Sequence, residues 1–330
     1  MADPVIAVLG PTAAGKSDLA LRLARDLGGE VINADSMQLY RGMDIGTAKL
    51  TVAQRQGIAH HLLGVWDVRY PANVAEYQRM AREAIAAVTA RGRVPILAGG
   101  SGLYLRAALD DLNFPGTDPA VRERLEAELA AVGPAELHKR LAGCDPGAAA
   151  GILPSNGRRI VRALEVIELS GQPFTATLPR YESLYPAVHI GLRVSRGELD
   201  RRIAIRVASM WRDGLVDEVR GLEQAGLREG RTASQALGYA QVLRFLAGEW
   251  GEDEAREQTV KATRRFARRQ ESWFRRDPRV IWLDAGPGAD LPARALATID
   301  RCGISRRDSS PGDSSPGGSS PRDMAPRTTS

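Results

Sequence analysis

Apolar residues along this chain follow two alternating rhythms, one proper to strands and one to helices. VIAVLG, from Val5 to Gly10, is apolar up to its glycine, as a strand buried on both faces requires. After the tight loop PTAAG, the stretch KSDLALRLARDLGG sets Leu19, Leu23 and Leu27 on one helical face and ends at Gly28 and Gly29. EVINA reads as a second strand that delivers Asp35 at its carboxyl end. Residues 74–90 read as a helix, and VPILAG as a third strand running into Gly99 and Gly100. Strands alternating with helices predict a parallel sheet joined by right-handed crossovers, with ligands bound beyond the carboxyl ends of the strands. Three candidate site loops therefore converge on one edge.

The texture changes near Asn113. Residues 113–187 carry helical patterns and no convincing strand, which predicts a helical insertion; VHIGLRV, from Val188 to Val194, then returns to the sheet. Helices follow from Arg196 to about Arg276, and RVIWLDA is a last strand. From Ser305 the motif SSP recurs every five residues among Gly, Asp and Arg. Such a composition buries too little apolar area to offset ordering entropy, so residues 305–330 are expected to form a disordered tail. The expected organisation is a core in two parts, residues 1–112 and 188–304, interrupted by the insertion.

Composition sharpens this picture at two points. With 330 residues and 43% hydrophobic content the chain can build a substantial core. Its apolar runs fall far short of the ~20 residues a membrane span needs, and no leader pattern precedes them, so a cytoplasmic protein without membrane contact is expected. Cys144 and Cys302 are far apart and outside any CxxC spacing, which supports neither a disulfide framework nor a zinc site. The net charge is +5, but residues 261–279 alone hold one Lys and seven Arg against Glu271 and Asp277, a local +6. By helical spacing Lys261, Arg264, Arg265, Arg268 and Arg275 share one face, while Val260, Phe266, Ala267, Trp273 and Phe274 line the other. One side is expected to pack on the body and the other to meet phosphates.

The loop between the first strand and helix carries the clearest chemistry. GPTAAGKS, comprising Gly10, Pro11, Thr12, Ala13, Ala14, Gly15, Lys16 and Ser17, matches the phosphate-loop pattern in the strand-loop-helix context it requires. Its glycines let backbone amides turn toward one anion, and the helix start adds its positive end. Lys16 supplies a charge for a terminal phosphate, and the Ser17 hydroxyl suits a phosphate-bound Mg²⁺. The fold class that follows is α/β, a parallel sheet like that of the phosphate-loop nucleotide hydrolases. Yet VPILAG ends in GGSGLY, where many ATP-hydrolysing relatives place an acidic metal ligand. The nearest carboxylate is Asp35, suited either to capping a turn or to orienting a nucleophile and taking its proton. The motif does not name the phosphate donor.

GPTAAGKS, DSMQLYRGMDIGTAK, HHLL, GGSGLY, NGRRIVRALEV, ALGYAQV and ATRRFARRQESWF, in this order between residues 10 and 274, resemble the bacterial tRNA dimethylallyltransferase family. The resemblance implies transfer of a five-carbon group from dimethylallyl diphosphate to the 6-amine of adenosine 37, beside the anticodon, in tRNAs reading codons that begin with U. The held phosphate is then a leaving diphosphate and no ATP is consumed, although the family often carries an ATP-binding label. It implies Asp35 as general base, with Lys16, Ser101 and Arg206 in the catalytic set. It places Asp35, Ser36, Met37, Gln38 and Ser101 around the flipped nucleotide, and Arg122, Arg158, Arg159, Ile160, Val161 and Arg162 on the RNA. Arg264 and Arg268 of the basic helix join them against the anticodon stem-loop. A monomer is expected.

This sequence departs from the family pattern at Leu50, where proline usually follows GTAK, at Ser101, where Thr is common, and at Gly64, where Asp is common. Serine keeps the hydroxyl, whereas Gly64 removes a carboxylate. Arg158, Arg159 and Arg162 also fit a solvated helix face, His60 and His61 a structural pair, and Phe266, Trp273 and Phe274 core positions. Two other functions share parts of the pattern. A small-molecule kinase would use the same loop but give no reason for the basic helix. A non-catalytic RNA-binding protein would be indifferent to Asp35.

Overall fold

The computed structural model describes residues 4–174 and 181–303. The first strand, β1 (Val5–Leu9), is buried throughout and leads through the phosphate loop into α1 (Lys16–Leu27). β2 (Gly29–Asn33) follows, then an edge strand β3 (His60–His61), α2 (Val74–Ala90), β4 (Val94–Gly99) and α3 (Gly102–Leu109). The insertion supplies α4 (Pro119–Cys144), α5 (Pro146–Ala150) and α6 (Gly157–Ser170). The core resumes with β5 (Ala187–Arg193), α7 (Arg196–Arg212), α8 (Leu215–Gln224), α9 (Tyr239–Leu246), α10 (Glu252–Phe274), β6 (Val280–Asp284) and α11 (Leu291–Arg301).

All six strands are parallel, in the order β3-β2-β4-β1-β5-β6. Because successive side chains alternate faces, Val5, Ala7 and Leu9 enter one apolar layer with Tyr40, Tyr77 and Tyr239. Ile6 and Val8 enter the other with Leu19, Leu23, Ile203 and Ile299. The sheet is thus covered on both faces, and the loops after β1, β2 and β4 meet at its carboxyl edge.

The insertion has a core of its own, formed by Leu125, Leu137, Leu141, Ile160 and Leu164 among others. α4 is broken inside by Gly133 (φ 80°, ψ 166°), next to Pro134. Where the chain leaves and re-enters the sheet domain, Asp110 pairs with Ser183 in an isolated antiparallel bridge. Asp110 is fully buried and accepts from Arg106 Nε at 2.6 Å and Arg279 Nη1 at 2.7 Å; Arg279 Nη1 also donates to Ser183 Oγ at 2.7 Å. A carboxylate taken wholly out of water is costly unless donors such as these satisfy its oxygens.

Hydropathy alone did not predict β3 or α11. Two residues carry no period, and α11 depends on the cap that Asp290 makes with the Ala293 amide. The basic helix also differs from its expected faces. Its buried stripe is Ala255, Thr259, Ala267, Gln270 and Phe274, while Trp273 is 37% exposed. Of the residues expected in its core, Phe274 and Ala267 are buried and Phe266 is half-buried. Both cysteines are exposed free thiols. The expected disordered tail lies outside the described residues.

Candidate active site

The phosphate loop turns through backbone conformations that its glycines permit, with φ at 141° for Gly10 and 93° for Gly15. α1 then begins at Lys16, so the amides of its first turn have no acceptor within the helix and its positive end opens on the loop. Lys16 Nζ folds back to donate to Pro11 O at 2.8 Å. Burial lowers its pKa from 10.5 to about 8, with Asp35 opposing that shift and Arg206 adding to it. From α7, Arg206 Nη1 donates to Thr12 Oγ1 at 3.0 Å. Burial lowers the Arg206 pKa as well, against the pull of Asp35 and Asp18. These opposed influences show that Lys16, Arg206 and Asp35 share one electrostatic environment.

Asp35 stands just past β2. Its amide donates to Asn33 Oδ1 at 2.9 Å, and its Oδ1 accepts from the Met37 amide at 3.0 Å. One oxygen therefore caps the turn, while among the described residues no hydrogen bond engages the other. Ser101, after β4, accepts from the Ser36 amide at 3.1 Å through its hydroxyl, which lies 3.3 Å from Ser36 Oγ. The loop farther on is pinned by a residue that sequence reasoning missed. Glu218 accepts from three successive amides, Asp44 at 3.1 Å, Ile45 at 2.7 Å and Gly46 at 3.2 Å, and from the Tyr239 hydroxyl at 2.5 Å.

α10 lies directly on the β4–α3 turn and explains its glycines. A Cβ on Gly100 would stand 2.2 Å from Gln270 Nε2, and one on Gly102 would stand 2.0 Å from Trp273 Nε1. Gln270 Oε1 accepts from the Thr12 amide at 2.9 Å, and its Nε2 donates to Gly100 O at 2.9 Å. Gln270 was also missed. Its signal is a polar residue on the buried stripe of a helix, masked by the arginines around it.

A cavity of about 560 Å³ opens between these elements. Thr12, Asp35, Ser36, Met37 and Arg206 line its inner side; Arg122, Glu126 and Arg158 reach it from the insertion, and Phe266 and Arg269 from α10. Arg231 crosses it to pair with Glu126, joining core to insertion. Arg231 lies in no motif, and Arg269, though inside ATRRFARRQESWF, was not singled out as a site residue.

The remaining sequence-based site residues divide by position. Arg122 and Arg162 are held by the buried Glu165. Ile160 and Val161, expected among the RNA-contacting residues, are 0% and 3% exposed in the insertion core. Their side chains offer RNA no surface, whereas Arg158 and Arg159 on the same helix are exposed and Arg162 is tied down to Glu165, Pro115 O and Gly116 O. Gln38 donates through Nε2 to Thr47 O at 3.1 Å, so it braces the loop that lines the cavity. Arg264 and Arg268 lie apart from the cavity, in a second concavity with Arg193, Arg196 and Arg275. Arg264 there faces Asp200 and Arg275 pairs with Glu271, so part of the basic face is already neutralised. His60 is bonded to Ile58 O at 2.9 Å and His61 to Glu30 at 2.7 Å, away from the cavity lining. At Gly64 a Cβ would stand 3.8 Å from Lys49 Nζ, which is bonded to Asp44 at 2.6 Å instead.

Among the described residues there is no cluster of three or more His, Cys, Asp or Glu able to hold a metal. The loop offers two hydroxyls, Thr12 and Ser17, beside its amides, which suits Mg²⁺ carried on phosphate oxygens and not an all-protein cage.

A family model described as IPP transferase matches residues 38–277. The chain is 67% identical over 302 residues to the tRNA dimethylallyltransferase of Streptomyces coelicolor, covering 91% of this chain and 97% of that one. Among solved structures it resembles the full-length tRNA isopentenylpyrophosphate transferase of Bacillus halodurans, with TM-score 0.68, 38% identity and coverage of 91% and 98%. It also resembles a eukaryotic dimethylallyltransferase acting on tRNA, with TM-score 0.76, 26% identity and coverage of 92% and 80%.

Proposed function

This chain belongs to the IPP transferase family, and from that premise we propose that it transfers the dimethylallyl group of dimethylallyl diphosphate to tRNA. The acceptor is the 6-amine of adenosine 37, next to the anticodon, in tRNAs that read codons beginning with U. The observation that carries this reading is the shared cavity, where Thr12 of the phosphate loop and its partner Arg206 meet Asp35 and the insertion arginines Arg122 and Arg158.

The chemistry uses each wall. The amines of adenine are poor nucleophiles because the lone pair is delocalised into the ring. Asp35, through the oxygen not engaged by Met37, accepts the proton of the attacking 6-amine. As the new nitrogen–carbon bond forms, the allylic carbon–oxygen bond breaks and its electron pair leaves with diphosphate. The loop amides, Lys16 and Arg206 face the growing negative charge. One well-placed donor of this kind lowers a barrier by about 3–4 kcal/mol. The Ser17 hydroxyl would hold a phosphate-bound Mg²⁺, which would further neutralise the leaving group. Ser101 fixes the Ser36 amide beside Asp35 and thereby the turn on which the base stands.

A stacked adenine must be extruded to reach this depth, at a cost of a few kcal/mol. Contacts of Arg158, Arg159 and Arg122 with the anticodon stem-loop offset that cost, as do phosphate contacts of Arg264 and Arg268. The missing carboxylate after β4 fits expulsion of diphosphate better than hydrolysis of ATP, which argues against a kinase. We read the enzyme as a monomer, and no described helix is long and apolar enough to cross a membrane. We place the enzyme in the cytoplasm with its tRNA.

The test is direct. Unmodified tRNA incubated with the protein, dimethylallyl diphosphate and Mg²⁺ is digested and its nucleosides are weighed. The proposal expects one adenosine per tRNA to gain a five-carbon unit; unchanged nucleosides would refute it.

A further inference from the structure

Gln270 stands outside the chemistry just described, yet among the described residues it is the only side chain that bonds both the phosphate loop and the turn after β4. We propose that Gln270 is a positioning residue that sets the phosphate loop for its diphosphate, a reading that rests on the function proposed above.

Its amide is 5% exposed and is used at both ends: Oε1 accepts from the Thr12 amide and Nε2 donates to Gly100 O, each at 2.9 Å. The bond to Thr12 fixes that peptide, and the same residue's hydroxyl accepts from Arg206 at 3.0 Å. Gln270 thus reaches Arg206 through one intervening residue. The bond to Gly100 fixes the turn whose next residue, Ser101, holds the Ser36 amide beside Asp35. The close approach is built in, because a Cβ on Gly100 would stand 2.2 Å from Gln270 Nε2. Loss of the side-chain amide breaks both bonds and leaves the buried Gly100 carbonyl and the partly buried Thr12 amide without their partner.

The role differs from packing alone in a way that two substitutions expose. Gln270→Met keeps length and volume but neither donates nor accepts. Gln270→Glu splits by protonation. As a neutral acid it is shaped like the amide, its hydroxyl donating to Gly100 O and its carbonyl accepting from Thr12. Ionised, it can only accept and faces the Gly100 oxygen with charge.

Binding of inorganic pyrophosphate and of tRNA is measured by calorimetry for wild type and both variants, with thermal midpoints as the check on folding. Rates are followed from mildly acidic to mildly alkaline pH. Gln270→Met is expected to weaken pyrophosphate binding and raise KM for dimethylallyl diphosphate about tenfold, with tRNA affinity changed by less than about twofold. For Gln270→Glu the ratio of its kcat/KM to that of wild type is expected to fall as pH rises. Lys16 titrates in both proteins, so the ratio isolates residue 270. A folded Met variant with wild-type pyrophosphate affinity, or a Glu variant whose profile runs parallel to wild type, would overturn the proposal. If the Met variant does not fold, the Glu profile decides alone. Failure of wild type itself to bind pyrophosphate would instead strike the proposed function, and this inference with it.

Discussion

Asp35 lines the cavity with one oxygen spent on the Met37 amide and, among the described residues, no hydrogen bond to the other. Asp35→Ala is therefore expected to reduce the transfer rate by at least about a hundredfold, the scale of one lost general base, while tRNA affinity measured by filter binding changes far less. An equal fall in both would make Asp35 a binding or structural residue. Lys16 gives two opposite pH trends. With its pKa lowered from 10.5 to about 8, the folded protein holds fewer protons than the unfolded chain between those values. Stability contributed at this site therefore rises with pH over that window, while diphosphate affinity falls as Lys16 loses its charge above about pH 8. Denaturant midpoints and pyrophosphate calorimetry across that window test both slopes, and Lys16→Arg should flatten both. The phosphate loop and Asp35 were legible in the sequence because each lies where a strand ends. Gln270 and Glu218 were not, because their meaning depends on which distant amides the fold brings to them.

At the scale of elements, the α8 carboxylate does for the loop at residues 44–46 what a capping side chain does for a helix. Glu218→Ala leaves three loop amides and the Tyr239 hydroxyl without their acceptor and should cost about 2–3 kcal/mol in urea unfolding. Because Gly46 and Thr47 line the cavity, the same variant should raise KM for tRNA more than KM for dimethylallyl diphosphate. A wild-type KM for tRNA would show that this loop only closes the fold. Periodicity gave β1, α1, α2 and β4 within a residue or two, since each is long and one-sided or fully apolar. It missed β3, whose two histidines are held by parallel pairing with Val31 and Ile32. It also assigned Trp273 to the core, whereas the helix turns that ring toward Gly102 at the edge of the buried stripe.

For the whole molecule, the insertion has its own apolar core and is tied back by the buried Asp110–Arg279 cluster at its base and by the Arg231–Glu126 pair beside the cavity. The helical character of this segment was legible; the two ties were not, because their partners lie 169 and 105 residues apart. Together these parts form one cavity in which a diphosphate and a purine can meet, and the account stands on the diphosphate being a leaving group and not a fuel. Phosphorus NMR of a reaction containing the protein, Mg²⁺, dimethylallyl diphosphate and unmodified tRNA, with no ATP present, measures this most directly. The account predicts one inorganic diphosphate released for each adenosine modified. Transfer that requires added ATP, or orthophosphate appearing in its place, would contradict it.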